Sequence, residues 1–155
     1  MDTYLQFGKY TTGCPRWLLD KIQRIKRNTV DVAYVRRVLQ AIREEFDPKV
    51  HPITTTHNFI TSRFISVRDV VEQRQRSCGS LASVVAAVLR GLGIPTKLVD
   101  GRFIKHNPNM RHAWNEVLIG GQWVAFDVMQ KDFRLTAHHV RKGEYVDWQQ
   151  LEKSS

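Results

Sequence analysis

From Leu81 to Leu89 the chain carries no charged residue. A helix that is apolar nearly all round is a buried one, so this segment predicts a central helix with the remaining elements wrapped about it. The run opens at Arg76-Ser77-Cys78-Gly79-Ser80 and closes at Gly91, Gly93 and Pro95, a glycine–proline stop. A buried helix of this kind points its unsatisfied N–H groups and the positive end of its dipole at Cys78. With Arg74 and Arg76 just upstream, that setting predicts a thiol lowered from about 8.5 into the range of roughly 3.5–7.5, and so a nucleophile.

The rest of the chain divides by its apolar periods. Trp17, Leu18, Ile22 and Ile25 recur at helical spacing. A second helix is predicted from Asn28 or Thr29, with Val35, Val38, Leu39, Ile42 and Phe46 as its apolar stripe and Asp47-Pro48 as its end. Residues 47–65 read as a loop. Ser66 with Asp69 forms a capping-box pattern before Val70 and Val71, which predicts a short helix ahead of the cysteine. Residues 96–99 read as a strand, 100–111 as a loop, and 112–119 and 122–128 as strands joined at Gly120-Gly121, a two-residue hairpin signal. Tyr145, Val146 and Trp148 suggest an added strand or a packed segment. No repeat or linker interrupts the sequence, so one domain is expected over 1–155, with its core at about 28–135. Its 155 residues suffice for a core without staples.

The hairpin fixes which residues can meet. With the turn centred on Gly120-Gly121, Ile119 pairs with Gln122, Trp114 with Asp127 and His112 with Met129. His112 and Trp114 share a sheet face because side chains repeat every two residues. Asp127 falls on that face, diagonal to His112 at about 7–8 Å between Cα atoms, within side-chain reach. A cysteine at a helix start, a histidine and an aspartate on one sheet face are the parts of a thiol enzyme. Cys78 would attack a carbonyl, His112 would pair with the thiolate and later protonate the leaving amine, and Asp127 would orient the imidazole.

Composition narrows the alternatives. Only Cys14 and Cys78 are present, far apart and without a CxxC pattern, which fits a reduced, cytoplasmic setting and gives no disulfide framework. A redox-sensor reading lacks a nearby resolving thiol. His51, His57, His106, His138 and His139 show no metal-ligand spacing and read as surface or loop residues, so neither a metal nor a cofactor is expected. No apolar run approaches a membrane span, and the N-terminus lacks a signal-peptide layout. The net charge of +9 is concentrated in the N-terminal third, from Arg16 to Arg43. A solvated helix face accounts for it, with an acidic partner as the functional alternative. Nucleic acid is not expected, since no recognition motif accompanies the charge. Lys105 and Arg111, in the loop leading into His112, are candidates for a substrate rim that favours acidic groups. Trp114 is a third rim candidate, although packing is its expected main role.

Three blocks, Arg-Ser-Cys-Gly-Ser-Leu-Ala at Arg76, Leu-Arg-Gly-Leu-Gly-Ile-Pro-Thr-Lys-Leu-Val-Asp-Gly at Leu89, and His-Ala-Trp-Asn-Glu-Val-Leu-Ile-Gly-Gly-Gln-Trp-Val-Ala-Phe-Asp at His112, resemble the core of the transglutaminase-like superfamily in order and distance. The resemblance covers roughly residues 66–130. It implies a papain-like α+β fold, with N-terminal helices and a nucleophile helix packed on an antiparallel sheet, and Cys-His-Asp chemistry on peptide or glutamine amides, by hydrolysis or acyl transfer. It also implies an oxyanion donor upstream of the cysteine. Gln73 and Gln75 are the candidates, with His57 and Asn58 as alternatives. The competing reading is a catalytically silent module of the same fold that binds an acidic partner.

Overall fold

The computed structural model describes residues 3–49 and 64–154. Most of the loop expected at 47–65 therefore lies outside the described residues. Among the described residues, five α-helices, α1 (Arg16–Gln23), α2 (Val32–Glu45), α3 (Val67–Gln73), α4 (Cys78–Gly91) and α5 (Trp148–Ser154), accompany four strands, β1 (Thr96–Phe103), β2 (Arg111–Ile119), β3 (Gln122–Phe126) and β4 (His139–Tyr145). All neighbouring strands are antiparallel, in the spatial order β3-β2-β1-β4. The α+β architecture is the expected one.

The uncharged helix lies where its composition requires. Residues 81–90 of α4 are all buried. One side of α4 meets α2 and α3 through Val35, Val38, Leu39, Ile42, Val67 and Val70. Its opposite side meets the sheet through Ala82, Ala86, Leu98 and Ala113. Arg90, the one charged residue of the helix, is buried with its guanidinium on backbone carbonyls: Nε and Nη2 donate to Thr96 O at 3.0 and 2.7 Å, and Nη1 to Gln6 O at 2.8 Å.

Two element boundaries differ from expectation for local reasons. Helix α2 starts at Val32 and not near Asn28, because the Asp31 carboxylate accepts the Tyr34 N–H at 2.8 Å and supplies the cap. Strand β1 continues through Phe103, because β4 adds to its free edge; a bulge at Asp100/Gly101 absorbs the register shift. The Ser66 cap on α3 is as expected, its hydroxyl accepting the Asp69 N–H at 3.2 Å.

The hairpin register is the one the sequence dictates: Ile119 pairs with Gln122 and Asn115 with Phe126. Gly120 and Gly121 take φ of +57° and +80°, the two positive values that this tight turn demands and that side chains resist. The same glycine pair therefore sets which residues of β2 and β3 stand opposite each other.

Candidate active site

The α4 N-terminus is held by a serine network. The Ser77 hydroxyl accepts the Ser80 N–H at 3.3 Å and donates to Ser80 Oγ at 2.9 Å, and Ser80 Oγ in turn donates to Gln75 Oε1. Cys78 sits in the first turn, 7% exposed, against Ala82 and Ala113. The backbone amides of Ala113, Gly79 and Cys78 itself act to stabilise a thiolate here. The thiol is nonetheless pushed up to about 12, chiefly by burial and further by the nearby Asp127 charge. The expectation of a lowered pKa is thus overturned: desolvation outweighs the helix-terminal donors. Of the upstream arginines, Arg74 is occupied elsewhere. Arg74 reaches across to α2, its Nε on Glu45 O at 2.9 Å and Nη2 on Glu45 Oε2 at 3.3 Å. Arg76 lines a separate cavity described below.

His112 and Asp127 meet. Asp127 follows β3 directly, and its N–H donates to Phe133 O at 3.0 Å. Oδ1 accepts the Met129 N–H at 3.0 Å. Oδ2 accepts from His112 Nε2 at 2.6 Å and from His139 Nε2 at 2.8 Å. Burial of this carboxyl acts to raise its pKa, but the two imidazole hydrogen bonds, the His112 charge and the Met129 N–H outweigh that and hold it at about 2. A carboxylate only accepts, so His112 carries its proton on Nε2 and Nδ1 is the nitrogen left to take one. Cys78 shares a packed cluster with Ala113, the residue after His112, which brings the thiol to the start of β2. Ala113 and Asn115 face α4, the latter donating from Nδ2 to Ala82 O at 3.0 Å. His112 and Trp114 therefore project to the other face of the sheet, across the strand end from the thiol.

His139 is the residue that the sequence reading missed. It was expected at the surface or in a loop, yet its side chain is 2% exposed. Phe103 lies 4.9 Å from its ring centroid and Trp114 5.2 Å, edge-on. Ring-nitrogen and carboxylate atoms of His112, Asp127 and His139 lie within 4.8 Å of one another, a two-histidine, one-carboxylate set of the kind that can hold a metal ion. No spacing in the sequence announces it, because His139 arrives through the β1–β4 pairing.

The other candidates are distributed differently from expectation. Trp114 is not a rim residue: it is 1% exposed and packs over Gly101. Lys105 stands exposed in the 104–110 loop. Arg111 is exposed as well, with Nη2 3.7 Å from the buried Asp100 Oδ1. Gln73 is exposed at the end of α3, while Gln75 is buried with its carbonyl oxygen on Ser80. His57 and Asn58 lie outside the described residues. A cavity of about 110 Å³ opens beside the α4 terminus, lined by Arg43, Phe46, Arg76, Leu81, Val128 and Met129.

The model of the transglutaminase-like superfamily matches residues 19–128. The chain belongs to the transglutaminase-like superfamily. That match contains Cys78, His112 and Asp127 and stops short of His139. Among solved structures, the fold is similar to that of a candidate cysteine protease from Cytophaga hutchinsonii, with a TM-score of 0.67 and 23% identity over 94% of this chain. The chain spans 47% of that protein's length. No curated protein sequence matches it. Among the described residues, no helix is long and apolar enough to cross a membrane.

Proposed function

We propose that this transglutaminase-like domain is a thiol-dependent amide hydrolase or acyltransferase that acts on peptide or glutamine amides through a Cys78 thioester. The observation that carries the reading is the His112–Asp127 hydrogen bond of 2.6 Å, set one residue from Ala113, which shares a packed cluster with Cys78. Because the resting thiol is neutral, the chemistry is of the general-base kind. The reaction requires the Cys78 S–H proton to pass around the first residues of β2 to His112 Nδ1, on the other face of the sheet, as sulfur attacks the amide carbon. The C–N bond then breaks, the proton moves from His112 to the departing amine, and a thioester remains. Water completes hydrolysis, and a second amine completes transfer.

The cavity lined by Arg76 and Leu81, from the two sides of the α4 N-terminus, favours an acidic group in the substrate. Arg76 is exposed and has no acidic partner among the described residues. Arg43 is turned into the fold, with Nε on Val128 O at 3.0 Å and Nη2 on Gln130 O at 2.7 Å. Their joint positive charge over an apolar floor of Phe46, Leu81 and Val128 suits a carboxylate side chain.

The test is intact-mass analysis after incubation with a panel of glutamine and peptide amides, with and without an added amine. An acyl adduct on Cys78, absent in Cys78→Ala and in His112→Ala, is the expected result. A folded protein that forms no adduct with any substrate, while binding acidic peptides equally well as Cys78→Ala, would establish the silent binding module instead.

A further inference from the structure

We propose that His139 is a positioning residue that holds Asp127 for His112 through a fixed Nε2–H tautomer, so that the three side chains form an ordered hydrogen-bond chain and not a metal site. The Thr136 backbone N–H donates to His139 Nδ1 at 2.9 Å, and a backbone N–H can do nothing but donate. Nδ1 is therefore the unprotonated nitrogen. The ring proton lies on Nε2, which faces Asp127 Oδ2 at 2.8 Å.

That proton placement decides between the two uses of the cluster. A metal bound at Nε2 needs the lone pair there and the proton on Nδ1, where it would collide with the Thr136 N–H. The separations agree. Two ligands each about 2.0–2.1 Å from a tetrahedral zinc ion stand about 3.3 Å apart. Here the nitrogens lie 2.6 and 2.8 Å from the same oxygen, which are charge-assisted hydrogen-bond lengths.

The consequence for the site follows from counting acceptors. Asp127 Oδ1 is fixed by the Met129 N–H and Oδ2 by two imidazoles, so the carboxylate has no freedom to swing away from His112. Phe103 and Trp114 wall His139 in and keep its ring in this orientation. The ionisable groups around the chain are His112 from β2, Cys78 from α4 and Arg43 from α2, with His138 on the far side of Phe103 at 6.0 Å. His139 supplies a neutral donor among them. It touches neither sulfur nor substrate in this assignment and acts through Asp127.

The kinetic part of the proposal rests on the thiol chemistry above, whereas the hydrogen-bond assignment does not. Nitrogen-15 NMR of the histidine rings should show His139 protonated at Nε2 and bare at Nδ1; the opposite tautomer overturns the assignment. Two variants separate the ends of the ring. His139→Gln places an amide donor near the Nε2 position, and His139→Asn places an acceptor near Nδ1 but falls short of Asp127. The Asp127 carboxyl, followed by carbon-13 titration, should keep its low midpoint in the Gln variant and rise by on the order of one unit in the Asn variant. Equal midpoints in all three proteins overturn the proposal. With a turned-over substrate, kcat/KM should fall about ten-fold in His139→Asn and within about three-fold in His139→Gln. The reverse order would assign His139 to holding the Thr136 turn alone. Stoichiometric, tight binding of zinc by the wild-type protein, lost in His139→Gln, would establish a metal site and overturn the proposal. Should no substrate be found, the thiol reading fails by itself and both NMR measurements still decide this one.

Discussion

At the scale of single residues, the balance at this site is between burial and hydrogen bonding, and its two acidic groups come out on opposite sides. Cys78 and Asp127 are both buried. Desolvation wins at the thiol, where nearby backbone amides favour the thiolate less than burial and the Asp127 charge oppose it, and it is pushed up to about 12. Hydrogen bonding wins at the carboxylate, where two imidazoles and an amide converge and hold it at about 2. Replacement of Asp127 by Asn should therefore lower kcat/KM by about a hundred-fold or more, because the amide can no longer fix the Nε2–H tautomer of His112. The stability difference between the two proteins should depend on pH with a definite sign. A carboxyl depressed in the folded state contributes fully above its unfolded pKa of about 3.9, and the contribution is lost as pH falls toward the folded value of about 2. Thermal unfolding between pH 6 and pH 2 measures this; a gap between wild type and variant that stays constant across that range would refute it.

At the scale of elements, β4 is what turns a hairpin pair into a site. Its pairing with β1 places His139 opposite Phe103, and from there the imidazole reaches Asp127 beyond the end of β3. The approach of β4 requires Gly101. A Cβ there would stand 2.2 Å from Val140 O and 2.5 Å from Trp114 Cη2, both far inside contact distance. Gly101→Ala should destabilise the fold by roughly 1–3 kcal/mol, the usual cost of overpacking. It should also weaken activity more than a surface substitution of equal stability cost, since Trp114 and Val140 frame His139. Chemical denaturation together with kinetics tests both halves; an unchanged midpoint would show that the sheet edge yields freely.

At the scale of the whole molecule, the segments around Tyr10 and Trp148 meet against α4. Trp148 of α5 is fully buried, its indole N–H donating to Gly79 O at 2.9 Å, one residue after the thiol. Asp147 accepts the Tyr10 N–H at 2.9 Å and the Thr11 hydroxyl at 3.0 Å, tying the N-terminal segment to the C-terminal one. Trp148→Ala should cost about 3–5 kcal/mol, a large core truncation that also removes one of the hydrogen bonds to Gly79 O, which keeps the Ser83 hydroxyl at 3.2 Å. Differential scanning calorimetry gives the value. A loss under 1 kcal/mol would mean that α5 is not part of the core.

What the sequence determined by itself was local or periodic. The uncharged run could only be a buried helix, and the apolar stripe of α2 could only face it. The glycine pair fixed the β2–β3 register and with it the neighbourhood of His112 and Asp127. Each of these is set by residues close in the chain, where side-chain period and turn chemistry leave few choices. Three things waited for the tertiary structure. The protonation of Cys78 depends on how completely α4 is covered, which helix position does not reveal. The fate of Arg74 depends on Glu45, a partner from a distant helix. His139 reaches Asp127 only because β4 adds to the far edge of β1. Strand order is a long-range choice made by packing, and no periodicity within 139–145 records which edge that strand will join.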